Sequence, residues 1–115
     1  MLITFLQVLY VILGILMNFM SLWDFRISGQ YYTPTNPRVG IVIMLLYALV
    51  LPLDYLEWRL PFQVSMVIFA LILGMGGVLK HLVAVDGSRY SSKTARWAAI
   101  VVNSFGVVVS FYAIL

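Results

Sequence analysis

The sequence predicts an all-α integral membrane protein whose four transmembrane helices form an antiparallel up-down bundle. Three observations carry that expectation. Of 115 residues, 63% are hydrophobic and only 10% are charged, where a soluble domain has roughly 25% charged. The apolar residues are gathered into four runs of spanning length, separated by polar segments. The basic residues fall almost entirely in alternate connecting segments. A chain this small cannot hide so much apolar surface in a water-soluble core, so lipid must cover it. The mean hydropathy of +1.05 agrees.

The expected helices cover approximately 1–23, 38–57, 62–82 and 96–115, in a single domain spanning 1–115. Met1 to Trp23 holds no charged side chain, and at about 1.5 Å per residue it reaches about 34 Å, enough to cross a bilayer. It lacks the basic start and small-residue cleavage site of a signal peptide, so it is expected to be a retained helix. Asp24 to Arg38 is polar and rich in turn formers: Ser28-Gly29, Thr33-Pro34 and Asn36-Pro37. Val39 to Leu53 is the second run, extendable through Tyr55 and Leu56, with Pro52 placed to kink or end it. Asp54 to Pro61 then reads as a tight connection. Phe62 to Leu79 is the third run, closed by Lys80 and His81, and Ala98 to Leu115 is the fourth.

The cations orient these spans. Arg26, Arg38, Lys80, Arg89, Lys93 and Arg96 fall in the first and third connections, and Arg59 alone falls in the second. Lys and Arg are retained on the cytoplasmic side. Loops 24–38 and 80–97 are therefore expected to be cytoplasmic, with both termini outside. Trp23 and Trp97 then mark the inner interface and Trp58 the outer one. The pI near 9.5 is accounted for by this topology signal, since the basic residues form no stripe that would suit a nucleic acid.

The polar and small residues inside the spans are regularly spaced. In the first helix they are Gln7, Gly14, Asn18 and Ser21, which at 100° per residue lie within about 60° of one another. Gln63, Ala70, Gly74, Gly77 and His81 repeat the pattern in the third helix, and Ala99, Asn103, Gly106, Ser110 and Ala113 in the fourth. The second helix offers Gly40, Tyr47 and Asp54. Lipid gains nothing from such residues, whereas helix contacts do, because small residues permit close approach and amides bond across. The four seams are expected to meet in a common interior, with packing the ordinary role of the small residues and an Asn18–Asn103 hydrogen bond possible. His81 is the sole histidine. It has the chemistry of a proton or ligand handle, but its place at a helix C-terminus is also where the helix dipole favours a cation. Asp54 and Glu57 form an outer acidic pair if the second helix continues through them.

Tyr47 is the ionisable side chain assigned to the middle of the spans. Ion-coupled carriers usually keep an acid there. One histidine, no cysteine and no paired acids give little material for catalysis. No catalytic residue, cofactor or metal is expected, and phosphate-loop and dinucleotide motifs are missing. Length and span count resemble those of the small multidrug resistance carriers, which work as dimers of four-helix chains. That family depends on a glutamate in its first helix, where this chain has Gln7, Asn18 and Ser21 but no acid. The preferred expectation is a non-catalytic accessory or structural subunit, or a homo-oligomer, acting by helix packing in a membrane complex. The alternative is a small homo-oligomeric transporter or pore, carrier- or holin-like. The expected partners are the lipid bilayer and other membrane chains or further copies of itself, not nucleic acid.

Overall fold

The structure, a computed structural model, describes residues 1–83, 90 and 92–115. Four helices are long and apolar enough to cross a membrane: α1 (Leu2–Ser28), α2 (Pro37–Tyr55), α3 (Arg59–Leu82) and α4 (Lys93–Ile114). No strand is present among the described residues. Arg89, one of the cations used for orientation, and most of the third connection lie outside them.

Each helix end has a local cause, and several differ from the expected limits. Helix α1 continues past Trp23 because Asp24 to Ser28 contains no breaker. It stops where Gly29 takes the left-handed conformation, φ 74°, and returns its N–H to the Phe25 carbonyl at 2.9 Å. Asn36 caps α2 by accepting the Arg38 N–H at 3.0 Å, and Pro37 opens the first turn, where a missing N–H costs nothing. Pro52 is carried inside α2 near its end. The reversal into α3 is shorter than the expected Asp54–Pro61 connection. It needs only Leu56, Glu57 and Trp58, with Glu57 at φ 63° and the Trp58 N–H donating to the Leu53 carbonyl at 2.9 Å. Asp54 and Glu57 therefore do not share a helix face: the turn forces Glu57 into the left-handed region. Ser92 caps α4 by accepting the Ala95 N–H at 3.0 Å, so this helix starts at Lys93, ahead of the expected residue 96.

Helix α3 widens into π-helical turns over Leu73–Leu79. Gly74, Gly76 and Gly77 fall in that stretch, and glycine leaves a helix without the side-chain contacts that help hold its pitch.

The helices form a closed ring, each packing against its sequence neighbours, with α4 completing the ring on α1. The ring measures 46 × 26 × 20 Å. Gln7, Gly14 and Asn18 of α1 meet Tyr47, Met44 and Gly40 of α2 in that order. Between α3 and α4, Gln63 reaches Ile114 at one end, and Gly77 lies under Asn103 toward the other. The centre is aromatic. Tyr10 and Tyr47 meet edge to face with centroids 5.3 Å apart, and Phe69 and Phe105 pack against them. The outer surface is Leu, Ile, Val, Phe and Met along every helix, with Trp23, Trp58 and Trp97 exposed near the ends.

Candidate functional site: a polar cavity at the basic end of the bundle

Two polar features occupy the interior. The first crosses its middle and is fully internal. Gln7 of α1 donates from Nε2 to the Tyr47 hydroxyl of α2 at 3.1 Å, and also contacts Met66 Sδ of α3 at 3.1 Å. The Tyr47 hydroxyl pairs with Ser110 Oγ of α4 at 2.8 Å, and Ser110 donates to the Gly106 carbonyl at 2.6 Å. Each donor along it finds an acceptor, so the chain Gln7–Tyr47–Ser110–Gly106 ties α1, α2 and α4 together.

The second feature is a partly enclosed cavity of about 220 Å³ near the end where α3 finishes and α4 begins. Met17, Ile43, Met44, Ile72, Leu73 and Val102 supply its apolar wall. Its polar wall comes from Tyr10, Asn18, Thr33, Thr35, His81 and Asn103, with Lys80 at the rim. The glycines Gly14, Gly40, Gly76 and Gly77 complete it.

Two asparagines are seated in matching ways. Asn18 donates to the Gly14 carbonyl and Asn103 to the Ala99 carbonyl, each one turn back on its own helix and each at 2.7 Å. The possible Asn18–Asn103 bond is thus replaced by two bonds to backbone. Each side chain also lies on a glycine of the next helix, Asn18 on Gly40 and Asn103 on Gly77. Only glycine permits this approach: a Cβ at either position would run into the amide.

His81 is 2% exposed, with Nδ1 against the Tyr90 hydroxyl at 2.6 Å. Its carbonyl and that of Leu82 accept from the Arg96 guanidinium, both at 2.9 Å. Arg96 thereby satisfies the free carbonyls at the end of α3 and ties that end to α4.

The first connection closes over this end. Tyr32 donates its backbone N–H to Ser21 Oγ at 2.9 Å, Gln30 Nε2 reaches the Tyr90 carbonyl at 3.2 Å, and Tyr31 stacks on Phe25 at 4.5 Å. These contacts hold Thr33 and Thr35 against the cavity.

Three hydroxyls there find no partner among the described residues. Thr35 Oγ1 is a buried atom without a hydrogen bond. Tyr10 is 1% exposed and Thr33 6% exposed, both line the cavity, and neither hydroxyl bonds to a described residue. A buried hydroxyl left unpaired, as at Thr35, costs about 1–3 kcal/mol, and with the unpartnered Tyr10 and Thr33 beside it the cavity differs from an ordinary packing seam.

The sequence-derived positions distribute unevenly. Gly14, Asn18, Gly77, His81 and Asn103 line the cavity. Gln7, Tyr47 and Ser110 form the central network, and Gly106 lies beneath the Tyr10 ring. Ser21 anchors the first connection, and Gln63 donates to the Ile114 carbonyl at 3.0 Å. In α3 the buried stripe is Phe62, Met66, Phe69, Leu73, Gly77 and His81, leaving Gln63, Ala70 and Gly74 on its partly buried flank. Asp54 pairs with Arg59 at 2.7 Å on the surface, and Glu57 stands exposed in the turn. Such an exposed pair is worth little, about 1 kcal/mol or less.

Sequence reasoning passes over Tyr10, Thr33 and Thr35. Tyr10 is flanked by Leu9 and Val11 and reads as bulk, though it is a second ionisable side chain deep in the spans. The threonines sit in a segment that reads as loop; their only signal was that a fifteen-residue connector has to be held by something.

No family model, curated protein or solved structure matches this chain. Its function is therefore argued from its own residues.

Proposed function

We propose that this chain is a non-catalytic integral membrane protein of four antiparallel spans that holds a small solute inside its bundle and works as a carrier-type module. One observation carries the reading: Tyr10 and Thr33 are each more than nine-tenths buried, both line one cavity, and neither hydroxyl has a hydrogen-bond partner among the described residues. Tyr10 lies within a span, where no bulk water compensates such a group, so the cavity is where its partner enters. The apolar outer surface supports lipid as the surrounding solvent. Arg26, Arg38, Lys80, Lys93 and Arg96 all belong to the first and third connections or the helix ends beside them, which supports a cytoplasmic placement of the cavity's end.

A second reading, a non-catalytic subunit or homo-oligomer acting by helix packing, is favoured by the breadth of exposed apolar side chains on all four helices. The two differ in what the cavity does. The chain has no cysteine, so single cysteines report cleanly. On the solute-holding reading, a small water-soluble thiol reagent modifies Thr33→Cys and Asn103→Cys in the folded, detergent-solubilised protein. Val101→Cys, on the outer surface, stays unreacted in its detergent belt. Inert cysteines at 33 and 103, together with a stoichiometric copurifying chain, would favour the subunit instead.

A further inference from the structure

We infer, on the solute-holding reading above, that the cavity takes a small carboxylate carried on a short apolar tail. Charge is the first ground. Among the described residues, Lys80 is the charged residue of the lining, no Asp or Glu contributes to it, and Lys80 has no ion-pair partner. The chain carries a formal charge of +3, and Arg26, Arg38, Lys80, Lys93 and Arg96 gather near this end against Asp24, a field that draws anions in.

The second ground is hydrogen-bond polarity. The hydroxyls of Tyr10, Thr33 and Thr35 are free to donate, and His81 Nε2 bonds to no described residue while Nδ1 is held by Tyr90. The Asn18 and Asn103 amide oxygens lie on Gly40 and Gly77. The terminal carbonyls of α3, which would repel an anion, are occupied by Arg96. What remains is three hydroxyls that can turn their O–H groups toward a ligand, and one ammonium: the ammonium sets the sign of the ligand's charge, and the hydroxyls complete its hydrogen bonding.

Size and the opposite wall set the rest of the ligand. A cavity of about 220 Å³ is smaller than the roughly 300–1,000 Å³ of drug-sized sites. Met17, Ile43, Met44, Ile72 and Leu73 face the polar side with nothing but hydrocarbon and sulfur, which suits a tail of a few carbons.

The experiment uses the full chain in mild detergent and isothermal titration with three probes of like shape: butyrate, butyramide and butylammonium. Butyrate is expected to bind saturably, butyramide at least tenfold more weakly, and butylammonium not at all. Lys80→Gln should weaken butyrate at least tenfold and leave butyramide unchanged. Thr33→Val, which keeps the shape of the side chain, should weaken both. Butyramide or butylammonium binding as tightly as butyrate would overturn the carboxylate assignment, as would butyrate binding indifferent to Lys80→Gln. Binding of the neutral or cationic probe that is lost in Thr33→Val would still leave a solute-holding cavity. Binding of none of the three overturns the carboxylate assignment, while inert cysteines at 33 and 103 would remove the cavity reading itself.

Discussion

Gly40→Ala is expected to destabilise the protein by about 1–3 kcal/mol, the usual cost of overpacking a filled contact, and to cost nothing in a chain that already carries Asn18→Ala. The new methyl group would occupy the space of the Asn18 amide. That side chain is short, and its amide nitrogen is fixed to the Gly14 carbonyl at 2.7 Å, so it has no cheap route out of the way. Moving it either breaks that bond or pushes α1 from α2. Without Asn18 the clash is gone. What remains is the intrinsic preference of a helix for Ala over Gly, a gain of roughly 0.5–1 kcal/mol. The same substitution therefore changes sign between the two backgrounds. Thermal or SDS-driven unfolding of the four chains of the cycle measures this directly. Equal costs in both backgrounds would mean that Asn18 does not rest on Gly40.

Tyr47→Phe is expected to cost about 1–2 kcal/mol, and the triple change Gln7→Leu, Tyr47→Phe, Ser110→Ala to recover most of that loss. Removing the one hydroxyl deprives the Gln7 amide of its oxygen acceptor and Ser110 of its partner. Gln7 keeps only the contact to Met66 Sδ, a weak acceptor. The magnitude is set by the stranded donor more than by the lost bond, since interhelical hydrogen bonds within membranes average only about 0.6 kcal/mol, with larger values near 1.7. Deleting all the polar groups leaves nothing stranded, which is why the triple variant should unfold later than Tyr47→Phe alone. Strict additivity of the three single costs would contradict a connected network.

The number and rough extent of the helices are legible in the sequence because hydropathy and length are properties of each run taken separately. The same holds for the seams of α1 and α4. Glycine, asparagine and serine at about 3.5-residue spacing report a face turned toward the other helices, and Gln7, Gly14, Gly106 and Ser110 lie inside. Helix α3 is less legible. Its buried stripe is built from Phe62, Met66, Phe69 and Leu73, which by composition alone are indistinguishable from lipid-facing residues, and the π-helical turns shift the phase beyond Leu73. The first connection is legible only as a loop. Thr33 and Thr35 join the cavity because Ser21 and Phe25 hold the segment down, and such a contact leaves no periodic trace. The end of α2 misleads for a related reason: Asp54 and Glu57 have helical spacing, but the tight reversal into α3 puts Glu57 outside the helix.

Labelling of single cysteines in intact cells by a membrane-impermeant maleimide bears most directly on lipid being the solvent of these helices, with the cavity end facing the cytoplasm. Leu56→Cys, in the turn between α2 and α3, is expected to react from outside. Ser92→Cys, at the start of α4, is expected to react only after the membrane is opened. Reaction of Ser92→Cys in intact cells, or of both positions from the same side, would contradict it.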